Sequence, residues 1–91
     1  MITLDHFIKE AELKNIEFSS IDKKGKNRTV FYKNNKQYIV SSIDNVVIFV
    51  LETGQDQNLI SAVLEEYAEN YNYPEAYENI SLLEMFKKFC Q

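Results

Sequence analysis

The sequence has few of the residues from which metal, redox and phosphate sites are usually built. Its 91 residues include one cysteine, Cys90, one histidine, His6, and two glycines, Gly25 and Gly54. A single cysteine forms neither an internal disulfide nor a Cys-x-x-Cys site, and one histidine cannot supply a His-x-x-x-His zinc pair. Two glycines are too few for a glycine-rich phosphate loop. We therefore expect no metal site and no cofactor.

The sequence also lacks targeting and membrane-spanning segments. Its longest apolar run, Val46 to Leu51, has six residues, whereas a membrane helix needs about 20. The stretch from Met1 to His6 has neither the basic start nor the apolar core of a secretory signal. A lone cysteine suits a reducing compartment. These features predict a cytoplasmic protein, with no contact with the membrane.

What is present is typical of one small folded domain covering residues 1–91. The chain is 45% hydrophobic and 26% charged, which is ordinary for a globular protein. Its length suits a single core. The expected fold class is α+β, with an N-terminal helix, a three- or four-stranded antiparallel meander and two C-terminal helices.

The first half of the chain predicts this helix and meander. Apolar residues from Leu4 to Ala11 recur at helical spacing, and Thr3 is a suitable N-cap. From Ile16 the pattern alternates as in a half-buried strand, and turns are expected at Gly25, Asn34-Asn35 and Asp44-Asn45. The apolar run 46–51 predicts a fourth strand that is either central or covered by a helix.

The second half predicts two helices. One extends from about Asp56 or Asn58 to Asn70 and carries Tyr67 and Tyr71 on its apolar stripe. Pro74 ends it, because proline disfavours the helical conformation of the preceding residue. The last helix covers the remainder of the chain. It contains two capping-box patterns, Asn72-x-x-Glu75 and Ser81-x-x-Glu84, so it either starts once or is broken near Asn79.

Charge is divided unevenly along the sequence. The formal net charge is −4. Residues 22–36 carry +5, whereas residues 52–91 carry −6. A basic hairpin therefore precedes an acidic helical half, and each is a candidate surface for a partner of opposite charge.

The acidic half is the candidate protein-binding site. Tyrosine offers a large contact area at low entropic cost, and carboxylates along a helix can occupy a groove built for nucleic-acid phosphates. An alternative interpretation is that the glutamates form a solvated surface and the tyrosines pack in the core. The candidate residues are Glu65, Glu66, Glu69, Tyr73, Glu75, Tyr77 and Glu78.

The basic hairpin is an alternative, nucleic-acid-binding site. Lysines beside strand aromatics can follow a phosphate backbone while the rings stack on bases. The same lysines could instead keep exposed turns and strand edges soluble. The candidate residues are Lys23, Lys24, Lys26, Arg28 and Lys36.

Enzymatic activity has the least support, and we predict no catalytic residue. His6 lies on the flank of the first predicted helix, without an evident nucleophile or carboxylate partner. Cys90 is the penultimate residue, a poor position for a preorganised nucleophile. We accordingly expect a binding protein with no small-molecule substrate.

One stretch carries a resemblance to a known family. Residues 35–42, Asn-Lys-Gln-Tyr-Ile-Val-Ser-Ser, resemble the last strand of a small acidic phage-encoded anti-CRISPR protein that inhibits type II CRISPR nucleases. The order of predicted elements is also similar, except that the run 46–51 adds a strand and the acidic residues are more dispersed. The resemblance implies stoichiometric inhibition of a Cas nuclease, with glutamates mimicking DNA phosphates.

The leading hypothesis is therefore a non-enzymatic inhibitor that binds a nuclease through its acidic, tyrosine-bearing half. The alternatives are a nucleic-acid-binding accessory protein using residues 22–36, and an immunity protein or antitoxin that neutralises a nuclease toxin. An edge strand of the sheet could also pair with a second copy in a homodimer.

Overall fold

The computed structural model describes residues 1–53 and 82–91. These residues form a mixed α+β fold, as predicted, in which four antiparallel strands follow one helix and precede another. The elements are α1 (Leu4–Lys14), β1 (Glu17–Lys23), β2 (Lys26–Lys33), β3 (Lys36–Ile43), β4 (Val46–Thr53) and α2 (Leu82–Cys90).

The first helix begins at the N-cap that its sequence predicts. Thr3 is the N-cap, and its hydroxyl accepts a hydrogen bond from the backbone N–H of His6 at 3.3 Å. The backbone N–H of Thr3 donates in return to Nδ1 of His6 at 3.0 Å, which completes a capping box. Asn15 ends the helix in a left-handed conformation with φ 55°. The buried residues Leu4, Phe7 and Ala11 share one face.

Two-residue turns connect the four strands into a meander of order β1-β2-β3-β4. Every turn residue has positive φ, which matches the right-handed twist of the flanking strands. The turns are Lys24-Gly25, Asn34-Asn35 and Asp44-Asn45. Successive turns of a meander lie at opposite ends of the sheet. We call the end with the first and third turns the Gly25 end, and the end with the second turn the Lys33 end.

The core lies between the two helices and one side of the sheet, which we call the helix face. Phe89 of α2 is fully buried, with ring centroids 5.0 Å from both Phe7 and Phe31. Burial of these rings stabilises the packing of the helices on the sheet. The buried members of this core are Leu4, Phe7, Ala11, Phe31, Tyr38, Val40, Val47, Val50, Met85 and Phe89.

The opposite side, which we call the second face, carries a smaller apolar cluster. Val30 and Ile39 are fully buried there, and they are paired residues of β2 and β3. Half-buried Ile21, Tyr32 and Leu51 pack against them. The sheet therefore has apolar clusters on both sides.

The positions of two strands in the sheet can be compared with the sequence predictions. The strand predicted to be half-buried, β1, is an edge strand, and each of its residues is exposed except half-buried Ile21. The predicted fourth strand is confirmed as β4, and among the described strands it forms the other edge of the sheet. The helix-covered alternative is confirmed, because Val47 and Val50 share the core with Met85 and Phe89 of α2.

The predicted helical half is described only in part. The expected helix from about residue 56 or 58 to residue 70 lies outside the described residues. The final predicted helix is confirmed over Leu82–Cys90, where Met85 and Phe89 turn toward the core.

Candidate functional site

The predicted acidic partner-binding residues lie outside the part of the chain that the structure describes. This applies to the whole set, namely Glu65, Glu66, Glu69, Tyr73, Glu75, Tyr77 and Glu78. Their role in binding therefore stays a prediction. The predicted basic residues, by contrast, are all described.

The basic residues do not form one surface, because the meander separates them. Lys23, Lys24 and Lys26 are exposed around the first turn, at the Gly25 end, whereas Lys36 follows the second turn, at the Lys33 end. Strand β2 connects the two ends and is about 23 Å long at ~3.3 Å per residue. A run of lysines that is continuous in sequence thus becomes two separate groups in space.

Arg28, which the sequence predicted as a surface contact for nucleic acid, is buried in the structure. Its side chain is fully buried on the second face of the sheet, on the same side of β2 as Val30. Its Nη1 donates to the backbone carbonyl of Asn27 at 3.0 Å. The burial follows from strand alternation, which places residues 28 and 30 on the same side. Arg28 is therefore a structural residue and does not reach an external phosphate from this position.

The Lys33 end gathers charged and polar side chains from four elements around an open pocket of about 260 Å³. The second turn brings Lys33 and Lys36 to directly paired positions on the helix face. Tyr38 and Glu52 are paired positions of β3 and β4, and α2 contributes Lys88. The lining is completed by two further residues, Asn34 and Gln91.

Lysines hold the C-terminal end of α2 at this site. Nζ of Lys33 donates to the backbone carbonyls of Phe89 and Gln91, and Nζ of Lys14 donates to that of Cys90. A cation at a helix C-terminus is favourable, because the last carbonyls lack partners within the helix and the dipole is negative there. Burial, and next the proximity of Lys14, lower the pKa of Lys33.

A second network joins Tyr38, Glu52 and Lys36. The Tyr38 hydroxyl donates to Glu52 at 3.0 Å, and Nζ of Lys36 lies 3.3 Å from the same carboxylate. Burial and the hydrogen bond to Glu52 raise the pKa of Tyr38 to about 12. Burial disfavours the ionised form of Glu52, but hydrogen bonds from Tyr38 and Lys36 outweigh it and hold the pKa of Glu52 below its usual value.

This arrangement suits the binding of an anionic group more than chemical catalysis. Three ammonium groups surround the pocket, and Tyr38 keeps its proton at neutral pH, so its phenol is a donor and a weak nucleophile. Nearby Cys90 is half-buried, and burial raises the pKa of its thiol. Reactive thiols show the opposite shift. Among residues 1–53 and 82–91, no cluster of histidine, cysteine and carboxylate side chains is arranged to hold a metal ion.

Sequence reasoning missed most of this pocket. The Asn34-Asn35 turn does predict that Lys33 and Lys36 face each other. The pairing of β3 with β4 places Glu52 beside Tyr38. The sequence could not predict this contact, because it left the position of the fourth strand undecided. The approach of Lys88 and of the end of α2 depends on packing around Phe89, for which the sequence offers no local signal.

The fold and pocket define a small α+β protein with a four-stranded meander and a basic pocket at one end. Comparison of the chain with protein-family models, with curated proteins and with solved structures found no match. The resemblance to anti-CRISPR proteins therefore stays a hypothesis. No helix within the described ranges is both long and apolar enough to span a membrane.

Proposed function

We propose that this chain is a non-enzymatic inhibitor that binds a nucleic-acid-handling nuclease through residues 54–81. The observation that carries the proposal is the distribution of charge between this segment and the rest of the chain. Residues 54–81 contain six acidic residues and no lysine or arginine, a formal charge of −6. The remaining residues contain eight acidic and ten basic side chains, a formal charge of +2. The net negative charge of the chain thus comes from this one stretch.

The connections of this stretch support a binding role. It follows β4, which ends at Thr53, and precedes α2, which begins at Leu82. Both elements belong to the main core, where Val50 of β4 and Phe89 of α2 are buried. Segments that join the rigid elements of a scaffold are common places for binding residues. The elements on either side of the acidic stretch therefore both belong to the core.

The proposed mechanism is occupation of a basic groove. Carboxylates spaced along the segment would take the positions of nucleic-acid phosphates, and tyrosines would supply the contact area. The residues to which we assign this role are Glu65, Glu66, Glu69, Tyr73, Glu75, Tyr77 and Glu78. The resemblance of residues 35–42 makes a type II Cas nuclease the first partner to test, with a nuclease toxin as the next. Both partners place the protein in the cytoplasm of a bacterial cell.

Titration against a Cas9–guide complex tests the proposal. We expect stoichiometric loss of DNA binding and cleavage. Replacing Glu65, Glu66 and Glu69 by Gln should weaken inhibition about tenfold or more and reduce its dependence on salt, since three ionic contacts would be lost. Unchanged DNA binding and cleavage at saturating wild-type protein would contradict the Cas-directed form of the proposal.

A matched control distinguishes the effect of charges in this segment from the effect of the overall net charge. The triple change Glu12→Gln, Asp44→Asn and Glu84→Gln alters the charge of the chain equally, at exposed positions of the scaffold. We expect this control to inhibit like the wild-type protein. Equal weakening by the two triple variants would show that inhibition depends on overall charge and would exclude a specific role for residues 65–69.

A second candidate function, binding of nucleic acid, is favoured by one observation, the convergence of Lys33, Lys36 and Lys88 on the pocket at the Lys33 end. Its surface is smaller than the hairpin predicted from the sequence, because the other lysines lie at the opposite end and Arg28 is buried. Labelled oligonucleotide without nuclease, included in the same titration at low salt, measures this activity. If the protein does not bind the oligonucleotide, or if binding does not weaken as the salt concentration rises, this second function is contradicted.

A further inference from the structure

Within residues 1–53 and 82–91, the first strand of the sheet has an open and regular edge. β1 is the first strand in the order β1-β2-β3-β4, and six of its seven residues are exposed. Its pairing with β2 continues without interruption from Glu17 opposite Tyr32 to Lys23 opposite Lys26. The strand contains no proline. An edge of this kind presents backbone N–H and C=O groups to which another strand can bind.

The other edge is protected in two ways. At the start of β4, the backbone N–H of Val47 donates to the carbonyl of Ile2 at 3.0 Å, and Thr3 forms a bridge with Val46. The register of β4 against β3 also shifts between Ser41 and Ser42. Covered ends and irregular registers are usual means of preventing edge-to-edge association. In the part of the chain that the structure describes, neither device is present on β1.

The turn after β1 determines which backbone groups face outward. Lys24 and Gly25 have φ values of 56° and 83°, as in a type I′ turn. In such a two-residue hairpin the flanking pair, Lys23 and Lys26, exchanges backbone hydrogen bonds. Hydrogen-bonded and non-hydrogen-bonded pairs alternate along an antiparallel ladder. The N–H and C=O groups of Phe18, Ser20 and Asp22 therefore point away from β2.

We propose that β1 binds β1 of a second copy of this chain, antiparallel and with Ser20 on the two-fold axis. Outward-facing Ser20 then pairs with Ser20 of the second copy, and Phe18 pairs with Asp22 of the second copy. Each pair exchanges two backbone hydrogen bonds. The two sheets become one continuous sheet of eight strands, and the interface is isologous.

Charge complementarity selects this register. With Ser20 at the centre, Glu17 lies opposite Lys23 of the second copy, and the same pair recurs at the other end of the interface. Opposite charges at directly paired positions stabilise a sheet, and like charges destabilise it. A shift of two residues in either direction removes both ion pairs and shortens the overlap. The central residue is small, and its hydroxyl lies 2.6 Å from that of Thr29, within its own copy.

Amide hydrogen exchange measured by NMR at increasing protein concentration tests the proposal. In a monomer the amides of Phe18, Ser20 and Asp22 exchange rapidly, because they face water. In the dimer all three become protected together as concentration rises, while Ser19 and Ile21, already bonded to β2, change little. Rapid exchange at the three outward positions at every concentration would overturn the proposal, and would leave the edge open to a strand of another protein.

Charge reversal tests the register. Glu17→Lys places lysine opposite lysine, and Lys23→Glu places glutamate opposite glutamate. Each single change should raise the dimer Kd about tenfold, since two pairs per interface become repulsive. The double variant restores both pairs and should return the Kd close to the wild-type value. Sedimentation equilibrium measures the Kd, and circular dichroism confirms that each variant is folded. A double variant no tighter than the singles would exclude this register.

Discussion

Each end of the sheet is stabilised in a different way, although the lysines of both ends come from one run of sequence. At the Gly25 end, backbone geometry is decisive: Gly25 adopts φ 83°, and its carbonyl accepts from the backbone N–H of Asp44 at 3.0 Å, joining the first and third turns. At the Lys33 end, side chains are responsible for the stabilisation, because Lys33 and Lys14 donate hydrogen bonds to backbone carbonyls at the end of α2.

This difference shows that a charge count along a sequence does not define a surface. Lys23 and Lys24 are exposed, but half-buried Lys33 is bonded to helix carbonyls and Arg28 is fully buried. The two ends should therefore respond differently to substitution. Changes at the Lys33 end should release α2, whereas changes at the Gly25 end should affect mainly the turns.

The largest effect is expected from Phe89→Ala at the Lys33 end. Phe89 is fully buried, and its ring lies 5.0–5.3 Å from those of Phe7, Phe31 and Tyr38. Removing a large buried ring costs about 3–5 kcal/mol of the free energy of unfolding, through lost burial and the cavity that remains. Urea unfolding followed by circular dichroism measures the loss.

Phe18→Ala is the matched control for this prediction. The same side chain is 39% exposed on β1, with its ring 5.3 Å from that of Phe31. Its removal should cost clearly less than that of Phe89. Equal losses would indicate that α2 contributes little to the core, contrary to the packing of Phe89.

Gly25→Ala should have a smaller effect, at the opposite end. The positive φ of Gly25 disfavours alanine, and a Cβ there would lie 2.6 Å from Oδ1 of Asp44. We expect a loss of about 1–2 kcal/mol in the free energy of unfolding. Gly25→Asn is the control, because asparagine tolerates positive φ but introduces the same Cβ. If both variants lose the same stability, contact with Asp44 causes the loss; if asparagine loses less, the backbone conformation does.

Much of the described fold is encoded in local sequence patterns. Helical spacing and Thr3 predicted α1, and the turn residues around Gly25, Asn34 and Asp44 predicted the meander. These signals are local, since caps and two-residue turns depend on neighbours in the chain. Strand environment could not be predicted in the same way. The alternation of apolar and polar residues around Phe18 is the same for an edge strand and a central strand. Which of the two it is depends on the order of the strands in the sheet.

The candidate site was less predictable than the fold. Arg28 resembled its lysine neighbours in sequence, but strand alternation placed it beside Val30 on the second face. Lys88 reaches the basic pocket only because α2 packs on Phe7 and Phe31. Contacts between elements distant in sequence depend on tertiary packing, which charge patterns along the chain do not contain.

The smallest effect is expected from Tyr38→Phe, and its sign should depend on pH. At pH 7 the loss of one hydrogen bond to Glu52 should cost about 0.5–1 kcal/mol. Burial and Glu52 raise the pKa of Tyr38 to about 12 in the folded protein, whereas an unfolded tyrosine ionises near ~10. Between these values the unfolded state releases a proton that the folded state retains, so Tyr38 lowers the stability of the wild-type protein as pH rises from 10 to 12. The variant lacks this contribution, so its deficit in stability relative to the wild-type protein should shrink over that window and can reverse.

Urea unfolding of both proteins at pH 7, 10 and 11.5 measures the difference in stability. A constant deficit would show that Tyr38 titrates alike in the folded and unfolded states. Tyr32→Phe, on the second face of the sheet, is the control for the general effect of alkaline pH.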